Sequence, residues 1–204
     1  MANANEVAAS ANSPSSGNRS VFVIDARRSR FTVQAFATGI LSAMGHNPTI
    51  GIRTFSGQVE FDPEAPEAGG LRLAIQSASL AVQDDISDKD RREIERVMRA
   101  DVLEIDKYPE ICYESSSVAI TKIDGSLYST TLNGSLSFHG VTRVEFIPVR
   151  IVAMDEMLRA SGDFILKQSN YEVKPVSVAG GALKLKDELR FSFEMIARKQ
   201  EPTE

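Results

Sequence analysis

Apolar and polar residues alternate with a period of two along most of this chain, and this pattern limits the fold more than any other sequence feature. The alternation is clear in the segments around Phe31, Leu73, Leu136 and Phe191. A period of two sends successive side chains to opposite faces of a β-strand, so one face is dry and the other meets water. About eight such segments follow one another, most of them joined by short turns. The pattern therefore predicts a mainly antiparallel, all-β fold.

Eight half-buried strands without the regular helices of a parallel sheet are typical of a sheet that closes into a barrel. A barrel of about eight strands is either filled by side chains or holds one small ligand. The inward parity shifts between Ile52 and Phe55, which predicts a bulge that bends the strand. Gly57, Gly134 and Gly162 share the predicted inward face. These glycines either leave room for a ligand or relieve bends, and both interpretations stay open.

One long segment, residues 84–109, departs from the alternation. Its apolar residues recur at helical spacing, as Ile94 and Met98 show, while the remaining positions are mostly charged. Ser87 is a suitable N-cap for such a helix. We therefore predict a helical insertion at about residues 87–106 that lays its apolar stripe over the mouth of the barrel as a cover.

Composition limits the classes of partner. The chain has 204 residues, of which 42% are hydrophobic, and this is enough for one domain with a real core. The net charge is -5 with both signs interspersed, which argues against a nucleic-acid surface. No apolar run approaches the roughly 18 residues of a membrane span, so we expect no stable membrane insertion. A single cysteine, Cys112, excludes an internal disulfide.

The first twenty residues differ from the rest in composition. Residues 1–20 are rich in Ala, Asn and Ser and contain almost no bulky side chain, so we expect a disordered tail before a domain at residues 21–198. This tail lacks the basic start and the apolar run of a signal peptide. We expect a cytoplasmic protein, or a periplasmic one if a leader was removed.

Motifs for catalysis or metal binding are missing from the sequence. The two histidines, His46 and His139, lie in predicted turns without a partner at metal-ligand spacing. No GxSxG, HExxH or P-loop pattern occurs, and the parity of Cys112 points it away from the inward face. We therefore predict no metal, no cofactor and no catalytic residue. A hairpin role is favoured for His139, whereas His46 is either structural or a candidate contact for a polar headgroup.

Five segments together resemble the YceI-like family of polyisoprenoid-binding proteins. They are FVIDARRSRFTV, FSGQVEFDP, RADVLEIDKYPEICYESS, LSFHGVTRVEFIPV and ASGDFILKQSNYEV. Their order and spacing carry the resemblance, which covers roughly residues 21–198. It implies an eight-stranded antiparallel lipocalin-like barrel, a helical insertion near its mouth, and a long apolar pocket for an amphiphile such as an isoprenoid or fatty amide. It also implies a tendency to form homodimers, and many members of the family carry a secretion leader that the tail here lacks.

The candidate lining of that pocket consists of the apolar residues of the inward parity together with one residue of the helix. They are Phe31, Val33, Val59, Phe61, Leu73, Ile75, Met98, Tyr113, Leu136, Phe138, Phe164, Leu166, Phe191 and Phe193. Core packing is the alternative role for the methionine. The expected function is to bind a long-chain isoprenoid or fatty lipid for transport, storage or sequestration. Two alternatives stay open, an enzyme acting on isoprenoid-type lipids and an interaction domain whose barrel is filled.

Overall fold

The structure is a computed structural model that describes residues 19–38, 47–178 and 183–201. The predicted tail at residues 1–20 lies outside the described residues except for Arg19 and Ser20, and His46 lies outside them as well. Ser20 is the first residue of a strand, so the described strands begin slightly before the predicted domain start at Val21.

The described residues form fourteen β-strands and one α-helix. In chain order the strands are β1 (Ser20–Ile24), β2 (Arg30–Gln34), β3 (Ala37–Thr38), β4 (Thr49–Ile52), β5 (Phe55–Phe61), β6 (Gly70–Gln76), β7 (Leu80–Val82), β8 (Glu110–Asp124), β9 (Leu127–Phe138), β10 (Val141–Met154), β11 (Met157–Lys167), β12 (Ser177–Val178), β13 (Leu183–Leu185) and β14 (Glu188–Lys199). The helix α1 (Asp88–Val97) lies between β7 and β8 and continues as a π-helical turn at Met98–Val102.

Eight strands close into an antiparallel barrel in the order β1, β5, β6, β8, β9, β10, β11 and β14. The ring is completed by the ladder between β14 and β1, which pairs Phe22 with Lys199 and Ile24 with Ala197. Closure pairs strand edges that an open sheet would expose to solvent. The prediction of an eight-stranded lipocalin-like barrel with a helical insertion is confirmed.

The two ends of the barrel differ. One end, called the turn end here, holds the β8–β9 and β10–β11 hairpins and the connection from β5 to β6. The other end, called the helix end, holds α1 and the short strands β2, β4 and β7, which extend the sheet beyond β14. Strands β12, β13 and β3 form a separate three-stranded sheet.

A turn separates strands β1 and β2. The Asp25 side chain accepts the Arg27 N–H at 3.1 Å, and the Ser29 hydroxyl donates to the Asp25 carbonyl at 2.7 Å. The same hydroxyl accepts the Ile196 N–H at 2.9 Å. Strands β1 and β2 on either side of the turn then pair with different parts of β14.

The predicted bend after Ile52 is also present, because β4 ends there and β5 begins at Phe55. The Ser79 hydroxyl accepts the Thr54 N–H at 3.0 Å inside this bend. The bend lets one run of sequence pair with β1 at the turn end and with β2 at the helix end.

Helix α1 covers the outer edge of β7, which is the last described strand of its sheet. Arg91 Nη1 donates to the Val82 carbonyl at 2.7 Å, and Glu95 Oε1 accepts the Val82 N–H at 3.1 Å. Arg99 Nη2 lies 3.4 Å from the Leu80 carbonyl oxygen. Side chains of the helical insertion therefore satisfy backbone groups that a neighbouring strand would otherwise bond.

The apolar stripe of the insertion rests on the barrel without sinking into it. Ile94 and Met98 are half-buried and pack against the core, and no residue of α1 is fully buried. Ser87 caps the helix as predicted, since its hydroxyl accepts the Asp90 N–H at 3.1 Å. Helical residues end at Val102 rather than near residue 106, because Glu104 adopts a left-handed conformation with a φ of 44°.

Candidate functional site

An apolar cavity of about 200 Å³ lies inside the barrel. Its wall reaches from Gly70 and Leu158 near the turn end to Leu80 and Leu189 near the helix end. All eight strands of the ring contribute, because β-alternation turns every second side chain inward. An engineered apolar cavity of about 150 Å³ takes up benzene. The barrel thus has room for a hydrocarbon segment, and a longer chain requires wall side chains to move or must extend past one end.

Phenylalanine rings form the part of the wall between β2, β11 and β14. Phe31 meets Phe191 and Phe193 edge to face, with ring centroids 6.2 and 6.1 Å apart. Phe164 stacks on Phe191 with centroids 4.8 Å apart and planes inclined by 12°. These are favoured aromatic geometries, so this wall is preformed. Phe164, Phe191 and Phe193 point inward yet keep some accessible surface, which therefore faces the cavity.

Every predicted lining residue except Met98 lies on the cavity wall. Met98 packs against the core from the helical insertion, and Leu103, which follows the π-helical turn, reaches the wall in its place. Contact of these residues with a ligand stays a prediction. The proposed headgroup contact, His46, lies outside the described residues.

Several wall residues are missing from the sequence-based set. Strand β10 contributes Ile147, Val149 and Ile151, whose alternation is readable in the sequence although Pro148 interrupts it. Thr130 continues the inward parity of Leu132 toward the start of β9. The candidate lining contains only large, mostly apolar side chains, so it does not include Thr130.

The inward glycines do not supply the empty space. A Cβ atom on Gly134 would lie 2.7 Å from the Tyr113 ring, and one on Gly162 would lie 2.7 Å from the Phe193 ring. A Cβ on Gly57 would lie 2.8 Å from Ile24 Cδ1. The glycines make room for large neighbouring side chains, so the interpretation that they leave room for a ligand is wrong.

Among the described residues that line the wall, only Glu60, Tyr113 and Thr130 have polar side chains. The Glu60 carboxylate pairs with Arg19 on the outer face, so Tyr113 and Thr130 are the polar residues of the inward parity. The Tyr113 hydroxyl donates to the Glu145 carbonyl at 3.3 Å. Burial, with a smaller contribution from Glu145, raises the pKa of Tyr113 to about 12. Tyr113 is therefore a neutral hydrogen-bonding group at ordinary pH.

A polar cluster beside the wall fastens the segment after β11. The Tyr171 hydroxyl donates to Glu145 Oε1 at 2.7 Å, and Tyr171 itself is fully buried. His139, with a φ of 51° in the β9–β10 turn, places Nε2 2.8 Å from Glu104 Oε2 and Nδ1 3.3 Å from the Tyr171 carbonyl oxygen. His139 thus links the turn to two neighbouring segments, in agreement with its predicted hairpin role.

Cys112 points away from the cavity, as its parity predicts, and its thiol donates to Glu110 Oε2 at 3.3 Å. Burial and this carboxylate raise the pKa of the thiol, so less of the nucleophilic thiolate forms. Among the described residues, no group of three or more His, Cys, Asp or Glu side chains is arranged to hold a metal ion. Within the same residues, none of the helices has the length and apolar character needed to cross a membrane.

Comparison with known sequences gives one family. The sequence model of the YceI-like domain matches residues 22–197. A UPF0312 protein of Azotobacter vinelandii is 29% identical over 119 residues, which are 58% of this chain and 57% of that protein. A UPF0312 protein of Pseudomonas putida is 29% identical over 110 residues, or 53% of this chain and 52% of the relative. The match therefore spans about half the length of these curated relatives.

Solved structures share the fold at low sequence identity. BcnA of Burkholderia cenocepacia has a TM-score of 0.63 and 22% identity, covering 85% of this chain and 98% of its own. A polyisoprenoid binding domain of Saccharophagus degradans, implicated in plant cell wall breakdown, has a TM-score of 0.64 and 14% identity. The match covers 88% of this chain and 98% of that domain. The YCEI protein of Campylobacter jejuni has a TM-score of 0.59 and 17% identity. The match covers 77% of this chain and 88% of that protein.

Proposed function

The chain belongs to the YceI-like domain family, and we propose that it binds a long-chain amphiphilic lipid, of the polyisoprenoid or fatty-acid and fatty-amide type, inside its barrel. The observation that carries the proposal is the apolar cavity enclosed by the inward faces of all eight strands of the ring. The polyisoprenoid binding domain of Saccharophagus degradans, which has a similar fold, supports the choice of ligand class.

Burial of a hydrocarbon tail in this cavity supplies enough free energy for micromolar or tighter binding. A lipid tail that buries about 500 Å² of its surface would gain about 12 kcal/mol, at about 25 cal/mol per Å². Association costs remove part of this gain and leave binding in the micromolar range or tighter. Neighbouring chain lengths differ little in this gain, so the wall recognises a class of lipid rather than one compound.

We assign the protein to lipid transport, storage or sequestration rather than to lipid conversion. Tyr113, one of the three polar wall residues, has a pKa of about 12 and is a hydrogen-bond donor rather than a base. Glu60 pairs with Arg19 at 3.2 Å and is half-exposed at the turn end. These features fit a wall that holds a lipid unchanged.

Lipid extraction tests the proposal with a matched pair of variants. Ala160 lies on the wall, and Ala160→Phe would place an aromatic ring in the cavity. Ser161→Phe adds the same ring to the outer face of the same strand, where the side chain is exposed. Protein purified without detergent should yield a long-chain lipid in organic extract, detected by mass spectrometry in near-stoichiometric amount. We expect Ala160→Phe to lose most of this lipid and Ser161→Phe to keep it.

The outcomes separate the proposal from its alternatives. An extract without lipid, together with no binding of added isoprenoid or fatty amide, would favour the filled-barrel alternative. Equal lipid content in both variants would place the ligand outside the barrel. A lipid that is chemically altered on incubation with the pure protein would favour an enzyme. Thermal unfolding of both variants controls for the strain of overpacking, which costs about 1–3 kcal/mol.

A further inference from the structure

Thr130 is an unusual residue of the cavity wall. It lies on β9 near the turn end, and its inward neighbours along the strand are Tyr128 and Leu132. The residue is 4% exposed, and among the described residues its Oγ1 atom has no hydrogen-bond partner. The residues paired across from it, Ile120 on β8 and Val149 on β10, are apolar members of the same wall.

A buried hydroxyl without a partner costs free energy, and most buried polar groups in proteins therefore have one. A valine has nearly the same shape as a threonine and would complete this wall without that cost. The Oγ1 atom itself has almost no accessible surface, so a ligand in the cavity bonds it only when the hydroxyl turns inward or a neighbouring side chain moves aside. The hydroxyl then gains its missing partner from an oxygen or nitrogen of the ligand at the same level. We propose that Thr130 is the hydrogen-bonding site for an uncharged polar group of the bound lipid, such as an alcohol, a carbonyl or an amide.

The charge of the wall argues for an uncharged group. None of the described wall residues is Lys, Arg or His, so an anionic headgroup at Thr130 would be buried without a counter-charge. Phosphate and carboxylate groups are therefore excluded from the level of Thr130 and must reach solvent if the lipid carries them. This inference rests on the proposed lipid-binding function and names the polarity and position of the ligand's headgroup.

Ser115 offers a matched control on the adjacent strand β8. The residue is 3% exposed, and its Oγ atom also has no hydrogen-bond partner among the described residues. Ser115 is not part of the cavity wall, and its strand partner Gly134 lies further from the turn end than Thr130 does. Removing this second hydroxyl should change stability in the same direction as removing the first, without changing ligand preference.

The test compares three lipids with the same isoprenoid chain, namely farnesene, farnesol and farnesyl diphosphate. Their dissociation constants are measured by displacement of N-phenyl-1-naphthylamine from delipidated wild-type protein and from Thr130→Val, Thr130→Ser and Ser115→Ala. The readout is the ratio of farnesol affinity to farnesene affinity. We expect Thr130→Val to lower this ratio about three- to tenfold, the effect of one net hydrogen bond. Thr130→Ser and Ser115→Ala should keep the wild-type ratio.

Stability of the free protein gives an independent readout. Because Oγ1 has no described partner, Thr130→Val should melt at the same temperature as the wild type or higher. A melting temperature lowered by several degrees would show that the hydroxyl is already bonded within the protein, and would overturn the inference.

The remaining outcomes are equally decisive. An unchanged ratio in Thr130→Val, or an equal fall in Ser115→Ala, would overturn the role of Thr130 and leave lipid binding intact. Tighter binding of farnesyl diphosphate than of farnesol, lost in Thr130→Val, would overturn the uncharged headgroup. Failure of the wild type to bind any of the three lipids would instead reject the proposed function itself, and the inference with it.

Discussion

Replacing Glu95 tests how the helical insertion is fastened to the barrel. Glu95 Oε1 accepts the N–H of Val82, a residue with 0% exposure, and Oε2 lies 3.2 Å from Arg99 Nη2. The Glu95 side chain is only 16% exposed. Glu95→Ala removes the acceptor and leaves a buried backbone N–H without a partner, which costs about 1–3 kcal/mol. We expect a loss of about 2 kcal/mol from the closed state of the insertion.

This loss can be read residue by residue in hydrogen exchange. If the insertion opens locally, 2 kcal/mol makes the open state about 30-fold more populated. Amides of α1 and of Val82 should then exchange about 30-fold faster in Glu95→Ala, while those of β9 at residues 132–138 stay unchanged. If the insertion opens only with the whole barrel, the melting temperature falls instead, by about 4–8 °C for a domain of this size.

Two control variants isolate the bond to Val82. Glu93→Ala removes a carboxylate from the same helix, but its partner Arg96 is exposed and such pairs contribute little. Glu95→Gln keeps an oxygen acceptor for the Val82 N–H and loses only the charge facing Arg99. Exchange that rises equally in Glu93→Ala and Glu95→Ala, or that leaves Val82 protected in Glu95→Ala, would show that the Glu95 side chain does not fasten the insertion to the edge of β7.

Two further predictions concern the interior. Burial raises the pKa of Tyr113 to about 12 and also raises the pKa of Tyr171, which donates to Glu145. Because an unfolded tyrosine loses its proton near pH 10, the contribution of these two tyrosines to stability should be fully present below about pH 10 and fall as the pH rises toward about 12. Urea unfolding at about pH 8 and about pH 11 should show a smaller alkaline loss in Tyr113→Phe with Tyr171→Phe, and an equal loss would contradict the raised pKa values. Gly162→Ala would bring a Cβ atom to 2.4 Å from the Pro148 carbonyl oxygen, so it should lower the free energy of unfolding by about 1–3 kcal/mol. A neutral effect in urea unfolding would show that the two strands can separate there at no cost.

Local alternation is enough to predict most of the wall. Phe31, Tyr113 and Phe164 can be placed inward from their neighbours alone, because the direction of a strand side chain depends on parity and not on the partner strand. Strand parity does not apply to Met98, which lies on the helical insertion where the π-helical turn begins; this turn shifts the side chains that follow it. Leu103 then reaches the wall, and no period in the sequence marks that shift.

The contents of the interior depend on pairings that are distant in sequence. Gly162 pairs with Phe193 on β14, whose ring takes the space that the glycine leaves. The sequence shows a small inward residue but not which ring lies over it, so cavity space cannot be predicted from glycines. The contacts of Glu95 and Arg91 with β7 could not be predicted for a similar reason. In the sequence both residues resemble ordinary charges of a solvated helix face, and only the fold places the strand edge beside them.

The central claim, that a lipid enters the barrel, is tested most directly by methyl NMR during titration with farnesol. Methyl groups of Leu132, Ile147 and Ile151 face the cavity, whereas those of Val144 and Ile165 are exposed on the outer surface. Chemical-shift changes should appear for the methyl groups of the three inward residues and saturate together at one lipid per chain, while the two outer residues stay unchanged. Shifts confined to Val144 and Ile165, with the inward methyl groups unaffected, would show that the lipid binds outside and would contradict the account.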